Sequence, residues 1–198
     1  MRVRDLGALV VVVDNTEQPI GGTKAAAMLA LLTINANQRV SVDALMDAAW
    51  GDDLTAGAAS TLTSHIWRLR QLLEPGRDRR RPPSVLVNDN DGYRLVAGPS
   101  TLDSLLLTEA ANEVVDLIAA GQFDAAVRRA DAALMLWRGT PYGAFAEARW
   151  AQMSVSRLEE VRGQVQEHRI TGLLASGATD AALRDLHPLV AAMPFRES

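Results

Sequence analysis

From Thr61 to Leu73 the chain reads TLTSHIWRLRQLL, and Glu74-Pro75-Gly76 ends the run. At about 100° per residue, Leu62, Ile66, Leu69 and Leu73 fall on one stripe, which predicts a buried helix face. Ser60, Ser64, Trp67 and Gln71 lie opposite, flanked by Thr61, Thr63, Arg68 and Arg70. Beyond a basic loop, Gly92-Tyr-Arg-Leu-Val96 reads as the return strand of a hairpin. A helix with a polar and basic outer face, followed by a hairpin, points to a winged helix. The outer face is either an ordinary solvated surface or a set of groups suited to base edges and phosphates. Trp67 favours the second reading, because an exposed indole usually has a partner.

The rest of the chain divides at Ala97-Gly-Pro-Ser100. Before that point strands and helices alternate; after it the pattern is helical. Val3–Leu6 and Ala8–Val13 are β-branched and apolar, with a turn at Asp14-Asn15, and Glu17–Ile20 is a third short strand. Gly21-Gly22 breaks it, and Thr23 is expected to cap a helix to about Ala36 with Ala25, Met28, Leu31 and Leu32 inward. Arg39–Ser41 is extended, and Ser41 opens a helix over Val42–Trp50 that Gly51 closes. Asp52–Gly57 is a turn, and the amphipathic helix runs from Ala58 to Leu73. Ser84–Val87 and Tyr93–Val96 then pair around a loop at 88–92. The expected fold is mostly α with a small β component: a winged helix over 1–98, then an all-α, tetratricopeptide-like domain over 99–198.

The 198 residues suffice for two small domains, and cysteine is absent, which excludes disulfides and thiolate metal sites and suits a reducing cytoplasm. No apolar run approaches the roughly 20 residues that span a bilayer, and the N-terminus lacks a signal-peptide pattern, so no membrane partner is expected. The net charge of −4 is unevenly spread. Residues 1–99 hold 11 basic and 11 acidic side chains, so residues 100–198, with 9 and 13, supply the whole excess. Within the neutral half, Ser60–Arg81 carries six arginines against Glu74 and Asp78. Such a patch can bind phosphates despite the acidic total; equally, the Arg77–Arg81 cluster suits a solvated loop.

Catalytic sets are missing. His65, His168 and His187 have no metal spacing. Gly21-Gly22-Thr23-Lys24 lacks the frame of a phosphate loop and reads as a turn and cap. No serine sits in a nucleophile elbow. Trp50, Trp137 and Trp150 read as packing residues, and His65 either touches a phosphate or is a plain surface group. No enzyme activity, cofactor or metal is expected.

A longer pattern joins these pieces. Leu6-Gly, Gly22-Thr-Lys24, Ala30-Leu-Leu32, Arg39-Val-Ser-Val-Asp43-Ala-Leu45, Trp50-Gly51, Thr61-Leu62, Arg68-Leu69-Arg70-Gln-Leu-Leu73 and Gly92-Tyr-Arg-Leu95 follow one another in order. In order and spacing they resemble the N-terminal domain of the Streptomyces antibiotic regulatory protein family (SARP), a winged helix of the response-regulator type. Asp103, Gly121, Ala125-Ala126, Ala132–Leu134, Leu136-Trp-Arg-Gly139, Pro141, Trp150-Ala151, Leu158-Glu-Glu160 and Arg162 resemble that family's bacterial transcriptional activation domain.

The resemblance implies a sequence-specific transcriptional activator. It would bind direct repeats upstream of promoters of antibiotic or other secondary-metabolite genes. Its partners would be double-stranded DNA, a second protomer on that DNA, and RNA polymerase through its sigma or alpha subunits, in the cytoplasm at the nucleoid. Carried onto this chain, Ser60, Thr63, Ser64, Trp67, Arg68 and Gln71 become the groove-facing residues. Thr61, Arg70, Arg79, Arg80, Arg81 and Arg94 become the phosphate and wing contacts. The chain departs from the family pattern at position 60, usually Asn, at Ile66-Trp67, usually Val-Ser, and at Ala25, often basic or polar; the bulky Trp67 leaves the base-reading details, and hence the operator sequence, open. The alternative is a helical protein–protein adaptor whose winged helix does not read DNA.

The second half also carries its own repeat. Gly121-Gln-Phe-Asp-Ala-Ala-Val-Arg128 recurs 56 residues on as Gly177-Ala-Thr-Asp-Ala-Ala-Leu-Arg184. The pattern suits the second helix of a tetratricopeptide-like hairpin, where alanines allow close packing. The spacing exceeds the usual 34 residues, so either one helix is long, with Ala146–Leu174 as the candidate, or an extra segment lies between the copies. Pro194-Phe-Arg-Glu-Ser198 reads as the start of a further helix, so the helical domain is expected to be truncated at its C-terminus.

Overall fold

Short β-branched runs and a tight turn build the first sheet. In the computed structural model, which describes residues 1–51, 53, 58–78 and 80–192, β1 (Arg2–Arg4), β2 (Val10–Val13) and β3 (Thr16–Gln18) form an antiparallel meander. Val13 pairs with Thr16, leaving Asp14 and Asn15 as a two-residue loop, both at positive φ (48° and 62°). That is the type I′ geometry which Asp and Asn tolerate and which matches strand twist.

Three helices follow: α1 (Thr23–Ile34), α2 (Val42–Trp50) and α3 (Ala58–Leu73). Helix α1 is more deeply sunk than an amphipathic reading suggests, with Ala25 and Ala27 through Thr33 all buried. Its cap corrects the expectation for Thr23: the capping residue is Gly22, without a side-chain cap bond, and Thr23 is the first helical residue. Ser41 does cap α2, accepting from the Ala44 N–H at 3.2 Å, and Gly51 closes it at φ 53°.

The second sheet has the order β4-β6-β5, with β4 (Arg39–Ser41), β5 (Leu86–Asp89) and β6 (Gly92–Leu95), all antiparallel. Asp89 pairs with Gly92, so the hairpin loop is Asn90-Asp91 and not the five residues expected, and β5 lies two residues later than read. The extended piece at 39–41 is the third strand of the wing sheet. Met28, Leu29, Leu32, Leu45, Leu62, Ile66, Leu69, Leu73, Leu86 and Leu95 form one core beneath these elements.

The chain folds as two compact units, Met1–Leu105 with Arg138–Leu158, and Leu106–Trp137 with the chain from Glu159. Residues 138–158, which lie past the Ala97–Ser100 boundary in sequence, thus pack with the N-terminal residues. Arg138 N–H donates to the Leu6 carbonyl at 2.7 Å and Tyr142 N–H to that of Asp5 at 2.9 Å. Helices α4 (Asp103–Ala119) and α6 (Gln152–Ala175) contribute to both units. The long helix begins at Gln152, later than Ala146, because a 3₁₀ turn at Gly143–Phe145 precedes it.

In the second unit, α5 (Phe123–Leu134) and α7 (Thr179–Ala192) begin at the two repeat copies. The copies match in backbone detail. Gly121 and Gly177 both take positive φ (71° and 81°). Gly121 N–H donates to Ile118 and Gln122 N–H to Leu117, as Gly177 does to Leu174 and Ala178 to Leu173. This is the Schellman motif twice. The second alanine of each copy, Ala126 and Ala182, is buried. The segment Pro194–Ser198, read as a further helix start, lies outside the described residues.

Candidate nucleic-acid interface

Leucine and isoleucine fix which way α3 faces. Leu62, Ile66, Leu69 and Leu73 are buried, so the helix cannot turn without exposing them. Ser60, Thr61, Thr63, Ser64, Trp67 and Arg68 are therefore held in solvent, while Gln71 is half-buried. Six of the sequence-derived residues thus share one outer face. The Ser64 hydroxyl donates to the Ser60 carbonyl at 3.3 Å, one turn back.

Arg70 is used inside the protein. Its Nε donates to the Leu86 carbonyl at 2.8 Å and its Nη2 to Asn88 Oδ1 at 2.9 Å, with the guanidinium 5.6 Å from the Tyr93 ring. It braces the hairpin against α3. Arg94 forms an ion pair with Asp89 at 3.1 Å, and Arg39, its cross-strand partner, pairs with Asp91. The two acidic groups at the wing tip, which would repel phosphate, are thereby each matched by an arginine.

The basic loop after α3 is closed at its base. Glu74 Oε1 accepts from the Ser84 N–H at 2.8 Å and the Ser84 hydroxyl at 2.7 Å. Arg77 turns inward to the Arg81 carbonyl, and the Arg80 N–H donates to Asp78 at 2.9 Å. The side chains of Arg80 and Arg81 remain exposed; Arg79 lies outside the described residues.

Lys24 joins this surface without a separate expectation behind it. It is the sole lysine of the chain. Its Nζ sits 4.7 Å over the Trp50 ring, whose other neighbour is His65 at 6.0 Å between centroids. His65 Nδ1 is buried with no hydrogen-bond partner among the described residues. Burial, then Arg68 and Lys24, push the His65 pKa below its usual value, so the ring is neutral near pH 7. The signal for this cluster was Lys24 itself, a lone cation at the start of α1.

Among the described residues no group of His, Asp and Glu could hold a metal ion, and no helix is long and apolar enough to cross a membrane.

Comparison with known proteins agrees with this architecture. Residues 17–95 match the family described as transcriptional regulatory protein, C terminal. Residues 102–198 match the bacterial transcriptional activator domain. The chain is 35 % identical to the transcriptional regulatory protein MoaR1 of Mycobacterium tuberculosis over 98 % of its length and 62 % of that protein's. It is 31 % identical to the regulatory protein DnrI of Streptomyces peucetius, over its full length and 74 % of DnrI. A structure of Mycobacterium tuberculosis EmbR, solved in complex with a low-affinity phosphopeptide, superposes with a TM-score of 0.89 at 32 % identity. That match covers 98 % of this chain and 51 % of the EmbR chain. The chain spans from about half to three quarters of the length of these relatives. With both domains in series and relatives of this likeness, the chain belongs to the Streptomyces antibiotic regulatory protein family, a family of transcriptional regulators and not of enzymes.

Proposed function

We propose that this chain is a sequence-specific DNA-binding transcription activator acting in the cytoplasm, at the nucleoid. Residues 1–98 bind DNA and the helical residues from 99 on serve as the activation domain. Helix α3 enters the major groove with Ser60, Thr63, Ser64, Trp67, Arg68 and Gln71 toward base edges. Thr61, Arg79, Arg80, Arg81 and Arg94 hold phosphates, and Arg70 contributes by fixing the hairpin. Two protomers occupy direct repeats upstream of promoters, and the activation domain recruits RNA polymerase through sigma or alpha. The regulated genes are those of antibiotic or related secondary metabolism, as the family name suggests.

The observation that supports this reading best is the exposed Ser-Thr-Trp-Arg face of α3. It stands on a helix locked by four buried aliphatic residues, beside a hairpin that Arg70 braces. Beside that face the basic loop keeps the side chains of Arg80 and Arg81 exposed, which suits phosphates better than a protein adaptor.

Selection of bound sequences from random DNA tests it, using the intact chain and Arg68→Ala in parallel. Enrichment of spaced direct repeats, weakened about tenfold or more in Arg68→Ala, is the expected result. No enrichment at low salt would refute the activator and leave the adaptor.

A further inference from the structure

Of the four tryptophans, three have partners. Trp50 lies under Lys24, Trp137 under Arg162 at 4.6 Å, and Trp150 sits 6.1 Å from Phe145. Trp67 has neither ring nor cation against it among the described residues, and it is 55 % exposed. No other aromatic side chain among the described residues is as exposed. It cannot be withdrawn by rotating α3, because Leu62, Ile66 and Leu69 would then be exposed in its place. Its neighbours on the helix surface are Thr63, Ser64, Arg68 and Gln71, all hydrogen-bonding groups. The indole is the largest side chain among them.

A polar face needs a reason to carry an indole at its centre. The major-groove edges of the base pairs present hydrogen-bond donors and acceptors, with one apolar exception, the C5-methyl group of thymine. An indole pressed against donors and acceptors would strip their water and return at most one hydrogen bond, from Nε1. Against a thymine methyl it buries apolar surface on both sides. We propose that Trp67 is a specificity-determining residue that reads a thymine methyl group in the major groove. This rests on the DNA-binding reading above. It makes thymine the preferred base at one position of each half-site, within about two base pairs of the contact made by Arg68, since the two residues are adjacent on a helix that rises about 1.5 Å per residue.

Deoxyuridine isolates the methyl group, because it keeps the pairing and the O4 acceptor of thymine and loses C5-methyl alone. Starting from a site selected with the full chain, each thymine is replaced in turn and the affinity measured. One position per half-site should weaken binding by the intact chain about fourfold, the worth of one buried methyl. At that position Trp67→Ala should bind the thymine and deoxyuridine sites equally. Trp67→Leu, still apolar, should retain part of the difference, and Arg68→Ala should retain it in full. If no thymine is sensitive to loss of its methyl, or if Trp67→Ala remains as sensitive as the intact chain, the proposal is overturned and the DNA-binding reading stands. Failure to enrich any sequence overturns both.

Discussion

A single hydrogen decides whether β4 can join the wing. At Gly92 an added Cβ would lie 2.2 Å from the Val40 carbonyl oxygen and 2.9 Å from its carbon. Both atoms are backbone, so no side chain can swing aside. Gly92→Ala must therefore push β4 off β6 or fold back the hairpin loop. Overpacking of this kind costs about 1–3 kcal/mol, and the expected outcome is a loss at the upper end of that range in urea denaturation. Amide exchange should rise at Val40 and Val42, the latter donating to the Asp91 carbonyl at 3.3 Å. An unchanged midpoint would mean that β4 is not closely paired. In the sequence Gly92 marks the end of a turn, and that much is readable from its neighbours. The need for glycine there is not readable, because the obstructing carbonyl lies 52 residues earlier. Trp67 is the opposite case: its outward direction follows from the spacing of four aliphatic residues in the same helix.

Helices were readable where their signals are local. The stripe in α3, the Ser41 cap and the Gly51 stop need only a few adjacent residues, and the structure has each of them. Signals that depend on distant partners were not. Strand β4 is three residues long and exists because β6 reaches it, and the true start of α6 depends on the packing of residues 138–158. The cap of α4 is another such case. Asp5, fully buried, accepts from the Ser104 N–H at 2.8 Å and the Ser104 hydroxyl at 2.5 Å, nearly a hundred residues away. Burial raises its pKa from 3.8 to about 6, against the lowering effect of the two Ser104 bonds. Nearby Asp103 adds to the rise, although Arg2 at 2.6 Å and Arg138 at 3.8 Å hold that second carboxylate. A raised folded-state pKa means that the fold prefers the protonated acid. The contribution is full below pH 3.8 and is lost as pH climbs through 6. Asp5→Asn keeps the acceptor for the Ser104 N–H and removes the charge. Relative to the parent chain it should gain on the order of 3 kcal/mol between pH 4 and pH 7. Thermal unfolding at both pH values checks this, and a constant difference between the two proteins would refute it.

Charge is distributed over the whole molecule so that its sum conceals its use. The net −4 belongs to residues 100–198, while residues 1–99 are neutral and carry six of their ten arginines in a cluster over Ser60–Arg81. Even within that cluster the arginines are not equivalent. Arg70 is spent on the hairpin and Arg77 on the closure of its own loop; outside the cluster, Arg94 and Arg39 are taken up by the acidic wing tip. Among the described residues of the cluster, Arg68, Arg80 and Arg81 keep their side chains exposed. The sequence could count these charges but not sort them, since sorting depends on which carbonyl or carboxylate each one reaches in the fold. The sorting has a consequence for binding to DNA. A cation that neutralises one phosphate releases about 0.9 counterion, so the slope of log affinity against log salt reports the number of such contacts. Arg80→Ala and Arg81→Ala should each reduce that slope by about one unit and leave the selected sequence unchanged. Arg94→Ala should reduce it by less, because Arg94 is already neutralised by Asp89. Arg68→Ala should alter the sequence preference as well as the slope. Titrations at four salt concentrations for the four variants separate these outcomes. Equal slopes for Arg80→Ala, Arg81→Ala and the parent chain would show that the loop stays in solvent when DNA is bound, and would move the phosphate contacts to α3 and the N-terminus of α1 around Lys24.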